Sequence, residues 1–572
     1  MNRYLYIIPL LIVSFFVSCE DDGVYSPPYL VSEPSDGSIE TGVSGTFPYF
    51  LSEDISGHRL TMGIKDQAGI YSMDQIAHIE LTFAASNWEE QLRAMASGDN
   101  ELNATLTYEG SVLPAKVGVR IKGGLAGSTV KSSYYVAIDA VNNHQLLNGY
   151  YTLMLNSIEE DPSCLREAIY RQCIRRYIPA AQVNFVNVRI NGVDQGLYIN
   201  TEHIKSSFID EWFVSSNGSR WRAEPTSKAD PNKVGANGTG YCGLNYLGET
   251  AADYAPYYNL KNKSSEVEPL DDIIAVCRIL EKTPTDSLET AIRKVLELDR
   301  TLWFLACENV FTDEGGYVNK GGTDYYLFWN KETGLLTPLE FDGKDTFHGK
   351  NVSWDPFYHA DDTRFPLLNK LLAVPSIRQR YLAHYRTILK EVYNPEYLNP
   401  LIDEFASKID SAVIADPRKT FTHSDFTTEI STLKQTIMQR STFLNNHASI
   451  NVAGMTISTA EWEVHGTAWK QPASTDSVMV TATVGGTGYA SSVFLCAGTG
   501  MFGGFKRLQM FDNGEHGDRI ADDGVFTALI NPQRAGVRVR FYIEAVKGNA
   551  AKTRSYMPAG AEHDVFTYVV HY

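Results

Sequence analysis

Cysteine is scarce in this sequence, and the cysteines that occur do not form the patterns that hold disulfides or metal ions. There are seven in 572 residues, too few for the disulfide framework that stabilises small secreted domains. Those beyond residue 19 form no Cys-x-x-Cys pair and no cluster with histidine, which excludes zinc-finger and zinc-ribbon sites. We therefore expect them to be buried thiols that pack as small apolar side chains.

An excess of basic residues is also missing. The chain has 50 lysines and arginines against 68 aspartates and glutamates, a formal charge of −18, and nucleic-acid phosphates repel such a chain. Hydrophobic residues at 43% and charged residues at 21% are ordinary for globular proteins, which excludes a disordered or collagen-like chain. We expect a folded protein of several domains that does not bind nucleic acid.

Long hydrophobic runs are absent after residue 18. No later stretch reaches the 18 or so uninterrupted apolar residues of a membrane-spanning helix. Residues 1–18 begin with Arg3 and continue with an apolar run from Leu5 to Val17, which is too short to cross a bilayer. A basic start followed by a short apolar run is typical of a secretion signal, so we expect residues 1–18 to be removed.

The end of that apolar run resembles a bacterial lipobox. A small residue, Ser18, stands directly before Cys19, which predicts that Cys19 is the lipidated first residue of the mature chain; the alternative is an ordinary cleaved signal with an incidental cysteine. The acidic residues that follow resemble the surface-export signal of Bacteroidetes lipoproteins. We expect a flexible tether over residues 19–45 and a protein on the cell surface, held at the outer membrane by its lipid alone.

The remainder of the chain falls into three segments with different periodicity. Residues 46–260 alternate apolar and polar side chains in short runs, as half-buried strands do, and Asn191-Gly192 between two such runs is a strong hairpin signal. Residues 261–450 carry apolar side chains at helical spacing, interrupted by one further hairpin pattern. Residues 455–572 return to a period of two and predict a β-sandwich. The predicted fold class is α+β.

A glycine-rich turn between two predicted strands is the first candidate for a functional site. It contains Gly123, Gly124, Gly127 and Ser128, and Lys131 follows where the second strand begins. Glycines let backbone N–H groups approach an anion closely, and the lysine could neutralise phosphate charge. The alternative is a hairpin turn with a surface lysine, and the residues alone leave both interpretations open.

The hairpin pattern within residues 325–342 and the loop before it form the second candidate site. Asp313 is followed six positions later by Asn319, and Glu340 and Asp342 end the hairpin. Phosphoryl transfer uses these residue types: one carboxylate orients the substrate hydroxyl, while an amide and a second carboxylate hold Mg²⁺ against the phosphates. Since Glu340 and Asp342 alternate on one strand, they could share a metal ion. The alternative is a loop of turn-forming residues.

Several of these motifs, in this order, resemble those of the CotH family, atypical protein kinases first met as spore-coat proteins. The resemblance covers about residues 78–446. It is carried by spaced motifs that lie at residues 117–123 with Lys131 and Tyr134, 161–167, 190–202, 313–342 and 365–368.

The resemblance implies a reduced protein-kinase-like fold, in which a β-rich lobe over residues 46–260 precedes a helical lobe over residues 261–450. It also implies that phosphate is transferred from ATP to Ser or Thr of a protein, with Mg²⁺ or Mn²⁺ as cofactor. If the family's residue roles apply to this chain, Lys131 would contact the nucleotide phosphates, and either Glu202 or Glu167 would form an ion pair with that lysine.

The same resemblance assigns roles to the second candidate site. Asp313 would be the catalytic aspartate, Asn319 a metal ligand and Asp342 the principal metal-binding aspartate. Asp313 would need no raised pKa, because positioning and charge neutralisation supply most of the rate enhancement in phosphoryl transfer.

The C-terminal segment has a motif of its own, which resembles a recurring segment of secreted immunoglobulin-like modules. Its acidic residues Asp512, Asp518 and Asp522 could supply oxygen ligands to Ca²⁺. The alternative is that these side chains shape one long loop through Asx-turns. Such a module more often binds or positions than catalyses.

Two functional hypotheses follow. The first is a surface-anchored protein kinase that uses Mg²⁺ and ATP. The second is a non-catalytic adhesin, a lipoprotein that binds glycans or proteins and reuses the kinase-like fold, since fold does not fix function and ATP is scarce outside the outer membrane. The sequence identifies neither a protein substrate nor a surface ligand.

Overall fold

The computed structural model describes most of the chain, in the ranges 51–62, 69–96, 98–123, 130–213, 215–226, 241–262, 268–320, 323–501 and 504–571. Its fold is mixed α+β, as predicted. Several predictions fall outside the described residues, namely those for the signal sequence 1–18, Cys19 and the tether 19–45, and for Gly124, Gly127 and Ser128.

A closed antiparallel-rich sheet forms the first part of the fold. Its strands pair in the order β3-β9-β10-β8-β7-β6-β4, and β4 pairs back onto β3, with β5 beside β4. Only β3 and β9 run parallel within it. The strands are Ala77–Phe83 (β3), Leu102–Tyr108 (β4), Ser111–Val112 (β5), Val117–Ile121 (β6), Tyr134–Ala137 (β7), Thr152–Ser157 (β8), Val183–Ile190 (β9) and Val193–Thr201 (β10).

Alternation along these strands produces two apolar faces. On β10, Tyr198 points into the core enclosed by the closed sheet, whereas Leu197 and Ile199 pack into the larger core of the helical part. The predicted turn between β9 and β10 is confirmed, with positive φ angles at both Asn191 and Gly192, as a two-residue hairpin requires.

A four-stranded sheet and most of the helices form the second part. The sheet has the order β12-β11-β13-β14, with strands Gly218–Ala223 (β11), Tyr258–Leu260 (β12), Tyr325–Asn330 (β13) and Leu335–Glu340 (β14). The antiparallel β13–β14 pair is the predicted second hairpin. All thirteen residues of the central helix, Leu298–Val310 (α7), are buried.

The helices of the described chain range from one turn to almost seven turns. They are Trp88–Met95 (α1), Arg166–Ile174 (α2), Ser206–Trp212 (α3), Ala251–Tyr254 (α4), Asp271–Lys282 (α5), Thr285–Ile292 (α6), Leu298–Val310 (α7), Tyr317–Lys320 (α8), Pro366–Asn369 (α9), Pro375–Glu391 (α10), Pro395–Ala415 (α11) and His423–Asn446 (α12). None of them, within the described residues, is both long and apolar enough to span a bilayer.

Two antiparallel sheets form the C-terminal part and share one core, in which Trp462 and Phe541 pack together. One sheet has the order β16-β15-β17-β20 and the other β1-β2-β23-β21-β18-β19, with β22 beside β21. The strands are Leu51–Glu53 (β1), Arg59–Met62 (β2), Thr456–Val464 (β15), Thr467–Ala468 (β16), Val478–Gly485 (β17), Ala490–Thr499 (β18), Lys506–Met510 (β19), Val525–Ile530 (β20), Arg538–Lys547 (β21), Arg554–Met557 (β22) and Asp564–Val569 (β23).

Strands β1 and β2 differ from the expected division of the chain. They fall inside the range 46–450 predicted for the first unit, yet β2 pairs with β23, the last strand of the C-terminal sheet. Arg59 reinforces this pairing through three hydrogen bonds to the Asp564 carboxylate. The pairing joins residues about 500 positions apart, so local sequence patterns could not have indicated it.

Candidate functional site

Three buried carboxylates meet where α7 and β14 end. Glu308 lies in the last turn of α7, Asp313 follows three residues after the helix, and Glu340 is the last residue of β14. One carboxylate oxygen from each lies within 4.8 Å of the others, and all three side chains are buried. We call these residues the carboxylate cluster.

Each member of the carboxylate cluster has one oxygen bound by the protein. Val318 N–H donates to Glu308 Oε2 at 2.7 Å, Gly315 N–H donates to Asp313 Oδ1 at 2.8 Å, and the Tyr170 hydroxyl donates to Glu340 Oε2 at 3.0 Å. The other three oxygens, which are buried, have no hydrogen-bond partner among the described residues; they are Glu308 Oε1, Asp313 Oδ2 and Glu340 Oε1.

Two glycines make room for this arrangement. A Cβ atom added at Gly316 would lie 2.6 Å from the Glu308 carboxyl group and 2.9 Å from Asp313 Oδ2. At Gly315 it would contact Asp313 Oδ1 at 3.2 Å and the Cβ atom of Asp342 at 3.4 Å. The chain therefore wraps closely around the carboxylate cluster, and Gly315 lies between Asp313 and Asp342.

The electrostatics of the carboxylate cluster call for either protons or a cation. Burial and the neighbouring carboxylates raise the pKa of both Glu308 and Asp313 well above the ordinary range. Burial raises the pKa of Glu340 to about 7, although the Arg171 guanidinium opposes this shift. Three carboxyl groups this close cannot all ionise without a cation, because like charges and desolvation both disfavour the charged form.

The residues present fit a hard divalent cation. Three oxygens without hydrogen-bond partners converge from different elements, and carboxylate oxygens are the ligands that Mg²⁺ and Mn²⁺ prefer. Such a cation would leave coordination positions for water or phosphate oxygens. Glu308, Asp313 and Glu340 would hold it.

Asp342 lies on the open side of the carboxylate cluster, and both basic residues (Lys344, Lys122) and acidic residues (Glu167, Asp345) act on its pKa. It is half-buried, and burial raises its pKa while the Lys344 ammonium opposes this. The Asp342 carboxylate in turn acts on the pKa values of Lys122, Lys320 and Arg171. An anionic group that approached Asp342 would therefore meet several cations.

Lys122 is a further basic residue whose charge acts on Asp342. Its ammonium donates to Asn156 Oδ1 at 2.6 Å, and Asn156 in turn donates to Glu167 Oε2 at 3.4 Å. Burial lowers the pKa of Lys122, while the carboxylates of Glu167 and Asp342 oppose this shift. Lys122 directly follows β6 and precedes Gly123, so it begins the glycine-rich turn.

Helix α2 connects this lysine to the end of β14. Glu167, in the first turn of α2, forms an ion pair with Arg171 one turn later at 3.1 Å. Arg171 also donates to the backbone carbonyl of Phe341, between Glu340 and Asp342. This network fixes the position of Lys122 relative to the carboxylates.

Lys131, the lysine predicted to contact nucleotide phosphates, has other partners. Its ammonium donates to Asp416 Oδ2 at 2.7 Å and to the Leu197 carbonyl, and it lies 4.4 Å from the centre of the Tyr198 ring. The lysine side chain is only 3% exposed. The ion pair expected with Glu202 or Glu167 is formed with Asp416 instead.

The other predicted residues lie as follows. Glu202 is buried and accepts a hydrogen bond from Gln182 N–H at 3.1 Å; burial and the Glu211 carboxylate raise its pKa to about 8. Asn319 lies on α8, with its side-chain amide bonded to the Glu314 carbonyl at 2.9 Å. Gly123 has a φ angle of 80°, the left-handed region that favours glycine.

Sequence reasoning missed Glu308 and Lys122. Glu308 could have been noticed as a charged residue near the end of a helix whose neighbours are mostly apolar. Lys122 stands at the end of a predicted strand, directly before the glycines, where a side chain faces the turn. Both signals were present, but nothing local indicates that α7, β6 and β14 end at one place.

A second group of acidic residues lies in the loop between β19 and β20. It brings together Asp512, Asp518 and Asp523, in place of the predicted Asp522. Both Asp512 oxygens accept backbone N–H groups, at 3.1 and 3.0 Å, and both Asp518 oxygens do the same, one of them from Gly514 at 2.7 Å. The Asx-turn interpretation accounts for these bonds, and Ca²⁺ at this loop stays a prediction.

Comparison with known proteins identifies a family whose model matches this chain. The family model described as "CotH kinase protein" matches residues 119–444, more than half of the chain. The match ends before β15, so the C-terminal sandwich lies outside it. The carboxylate cluster and Lys122 lie inside the matched range.

Relatives in two organisms are similar over this region. An "Inner spore coat protein H-like protein" of Bacillus subtilis (strain 168) is 26% identical over 328 residues, 55% of this chain and 85% of that protein. "Inner spore coat protein H" of the same strain is 22% identical over 329 residues, 56% of this chain and 84% of that protein. "Invasin CotH7" of Rhizopus delemar is 24% identical over 251 residues, 42% of this chain and 39% of that protein.

Proposed function

The chain belongs to the CotH family, and from this premise we propose that it is a protein kinase that transfers phosphate from ATP to Ser or Thr hydroxyls of a protein substrate. The observation that carries the proposal is the carboxylate cluster with its three buried oxygens that lack partners. Arg171 is a cation that acts on Glu340, but alone it cannot balance three ionised carboxylates, so a bound cation would let all three ionise. Mg²⁺ or Mn²⁺, when bound, would neutralise phosphate charge during transfer.

The basic groups around Asp342 support a polyphosphate as the other ligand. Lys122 begins the glycine-rich turn and is held by Asn156 beside Glu167, which suits a lysine that contacts nucleotide phosphates. We therefore assign to Lys122 the role that the family resemblance gave to Lys131. The glycine turn would let backbone N–H groups approach the same phosphates.

The protein's own contribution would be mostly positioning. Asp313 is fully buried under Gly315 and Gly316, which suits a residue that holds the cation more than one that contacts a protein hydroxyl. Asp342 is half-buried on the open side and suits the group that orients the acceptor hydroxyl and the phosphates. Phosphoryl transfer needs little more than such positioning and charge neutralisation.

The proposal includes the architecture and location expected from the sequence. We propose that the closed sheet and the helical part act as the two lobes of a kinase-like unit. We also propose that Cys19 is lipidated and that this lipid holds the protein at the outer membrane. The C-terminal sandwich would be an immunoglobulin-like module.

A phosphotransfer assay tests the function. The chain from residue 20 would be incubated with labelled ATP and Mg²⁺ or Mn²⁺, beside Asp313→Asn, Asp342→Asn and the control Asp361→Asn, an exposed aspartate of the helical part. We expect autophosphorylation that both site variants reduce at least about a hundredfold and the control does not. Label transfer that persisted in both site variants would show that the activity resides elsewhere.

A chain that neither transfers label nor shows a nucleotide-dependent thermal shift would contradict the kinase proposal. The second hypothesis, a binding protein, would then be the better one. The name of one relative, "Invasin CotH7", is consistent with that hypothesis. Retained binding of host-cell or glycan surfaces by Asp313→Asn would support it, because a binding function needs no metal-dependent phosphotransfer.

A further inference from the structure

The C-terminal sandwich, which lies outside the family match, packs against the two elements that carry Glu308 and Glu340 of the carboxylate cluster. The first is α7, and its residue Asp299 lies in the first turn while Glu308 lies in the last. Nine residues of helix separate them, about 14 Å at 1.5 Å per residue. The helix is buried along its whole length, so a shift at one end is transmitted to the other.

Asp299 is fully engaged at this contact. Its Oδ1 accepts from Arg380 and from His384, both at 2.9 Å. Its Oδ2 accepts from Trp303 at 3.1 Å and from the backbone N–H of Glu562 at 3.0 Å. The last of these donors belongs to the C-terminal part, so this carboxylate joins the sandwich to the start of α7.

Side chains of the sandwich complete the network. Tyr542 donates to Glu562 Oε1 at 2.9 Å and accepts from Arg380 at 3.0 Å, and Arg380 also pairs with Glu562 at 3.1 Å. Trp303 of α7 donates to the Ala561 carbonyl at 3.4 Å. Arg380, Tyr542 and Trp303 are buried and Glu562 is partly exposed, so most of the network is shielded from water and the contact is rigid.

The second element is β14. Its last two residues point to opposite faces, as successive strand residues do: Glu340 faces the carboxylate cluster, and Leu339 packs into an apolar core shared with the sandwich. That core contains Leu60 and Tyr542 from the sandwich side. The contact surface is therefore one residue away from a proposed metal ligand.

We propose that the C-terminal sandwich is an integral support of the carboxylate cluster, and that Asp299 is the positioning residue through which it holds α7. The inference rests on the proposed function, because it concerns the same carboxylates. A sandwich that served only as an independent binding module would have no need to contact both elements. The family's kinase unit in this chain is thus completed by a part that the family model does not include.

Metal affinity of the full chain tests the inference, with three variants compared at a temperature well below unfolding. Asp299→Asn removes the charge at the contact, and Tyr542→Phe removes one hydroxyl from the sandwich side. Asp416→Asn is the control, because Asp416 is an equally buried acid whose partners Lys131 and Leu197 lie outside the contact. We expect Asp299→Asn to raise the Kd for Mn²⁺ about tenfold and Asp416→Asn to leave it unchanged.

Hydrogen exchange over residues 308–318 gives a second measurement that needs no metal. The Val318 and Gly315 amides donate to the carboxylate cluster, so looser positioning of α7 exposes them. We expect faster exchange there in Asp299→Asn and Tyr542→Phe, but not in Asp416→Asn. If Asp299→Asn does not fold, the Mn²⁺ affinity and the hydrogen exchange of Tyr542→Phe test the inference instead.

The outcomes separate this inference from the proposed function. A wild-type chain that binds no Mn²⁺ would overturn the metal-dependent function, and the exchange data would still decide the inference. Variants at the contact that lose stability, yet keep wild-type Mn²⁺ affinity and wild-type exchange over residues 308–318, would overturn the inference alone.

Discussion

Two lysines at the two ends of the glycine-rich turn have different surroundings, and this difference separates function from stability. Lys122 faces Glu167 and Asp342, with one amide partner, Asn156. Lys131 is locked into a buried ion pair with Asp416. The residues alone left Lys131 open between a phosphate contact and a surface lysine, and the family resemblance gave it the phosphate role; only the tertiary contacts distinguish the two lysines.

Alanine at Lys122 should therefore affect activity, whereas alanine at Lys131 should affect stability. We expect Lys122→Ala to reduce phosphotransfer at least about a hundredfold with little change in melting temperature. Lys131→Ala should lower the free energy of unfolding by about 3 to 5 kcal/mol, because Asp416 stays buried without its partner. Phosphotransfer assays measure the activity of both variants, and urea unfolding measures their stability. Equal losses of activity in two variants of equal stability would contradict the assignment of the phosphate contact to Lys122.

Gly316 offers a test of the carboxylate cluster that leaves every ligand in place. Its added Cβ would lie 2.6 Å from the Glu308 carboxyl group, so Gly316→Ala must displace Glu308 or Asp313. We expect Mn²⁺ binding, measured by calorimetry, to weaken at least about tenfold. Gly485→Ala is the control, since its Cβ would meet nothing within 4 Å. Unchanged affinity in both variants would show that the cluster holds no cation.

At the scale of elements, the end of β10 carries a buried acid that makes stability depend on pH. Burial and Glu211 raise the pKa of Glu202 to about 8 in the folded chain, against about 4.5 when unfolded. Between these values the folded state holds a proton that the unfolded state has lost. This contribution to stability is complete below pH 4.5 and is lost as the pH rises through 8.

Glu202→Gln should remove that dependence while it keeps the bond from Gln182. The free energy of unfolding of the wild type should fall from pH 5 to pH 8 more steeply than that of the variant. Urea unfolding at both values gives the slopes, with Glu404→Gln as the exposed control. If the wild-type and Glu202→Gln slopes agree, Glu202 is not protonated in the folded chain.

Much of the element structure could be predicted, and the exceptions have a common cause. The β9–β10 turn, the β13–β14 hairpin and α7 followed from periodicity and turn residues, which are local signals. Strand β21 was expected to be half-buried, but Tyr542 and Glu544 on its polar face are buried too. Arg380 of α10 covers Tyr542, and Arg507 and Arg554 from the same sheet cover Glu544; no local pattern encodes such contacts.

The candidate site shows the same limit. Asp313, Glu340 and Asp342 were predicted from residue types that phosphoryl transfer needs; the structure brings Asp313 and Glu340 into the carboxylate cluster and places Asp342 beside it, across Gly315. Glu308 and Lys122 lie near these residues only because α7, β6 and β14 end at one place. Their chemistry was readable in the sequence, whereas their meeting point depends on long-range packing.

For the whole molecule, the first and last strands of the described chain share a sheet. Leu60 of β2 is 2% exposed and lies in the apolar core between the sandwich and the rest of the chain. The same core contains Phe208 and Tyr326 from the part of the chain that matches the family. The two parts therefore do not have separate hydrophobic cores at their contact, and we expect them to unfold together.

Leu60→Ala tests this cooperativity. Loss of a buried leucine should cost about 2 to 5 kcal/mol, and calorimetry should show one transition moved to lower temperature, with equal calorimetric and van't Hoff enthalpies. Leu529→Ala, at an exposed leucine of the other sheet, should leave the transition almost unmoved. Two peaks, of which Leu60→Ala moved only the first, would mean that the sandwich unfolds alone. It could then not act as a fixed support for α7 and β14 near that temperature, so cooperative unfolding of the whole chain is a condition that the proposed support must meet.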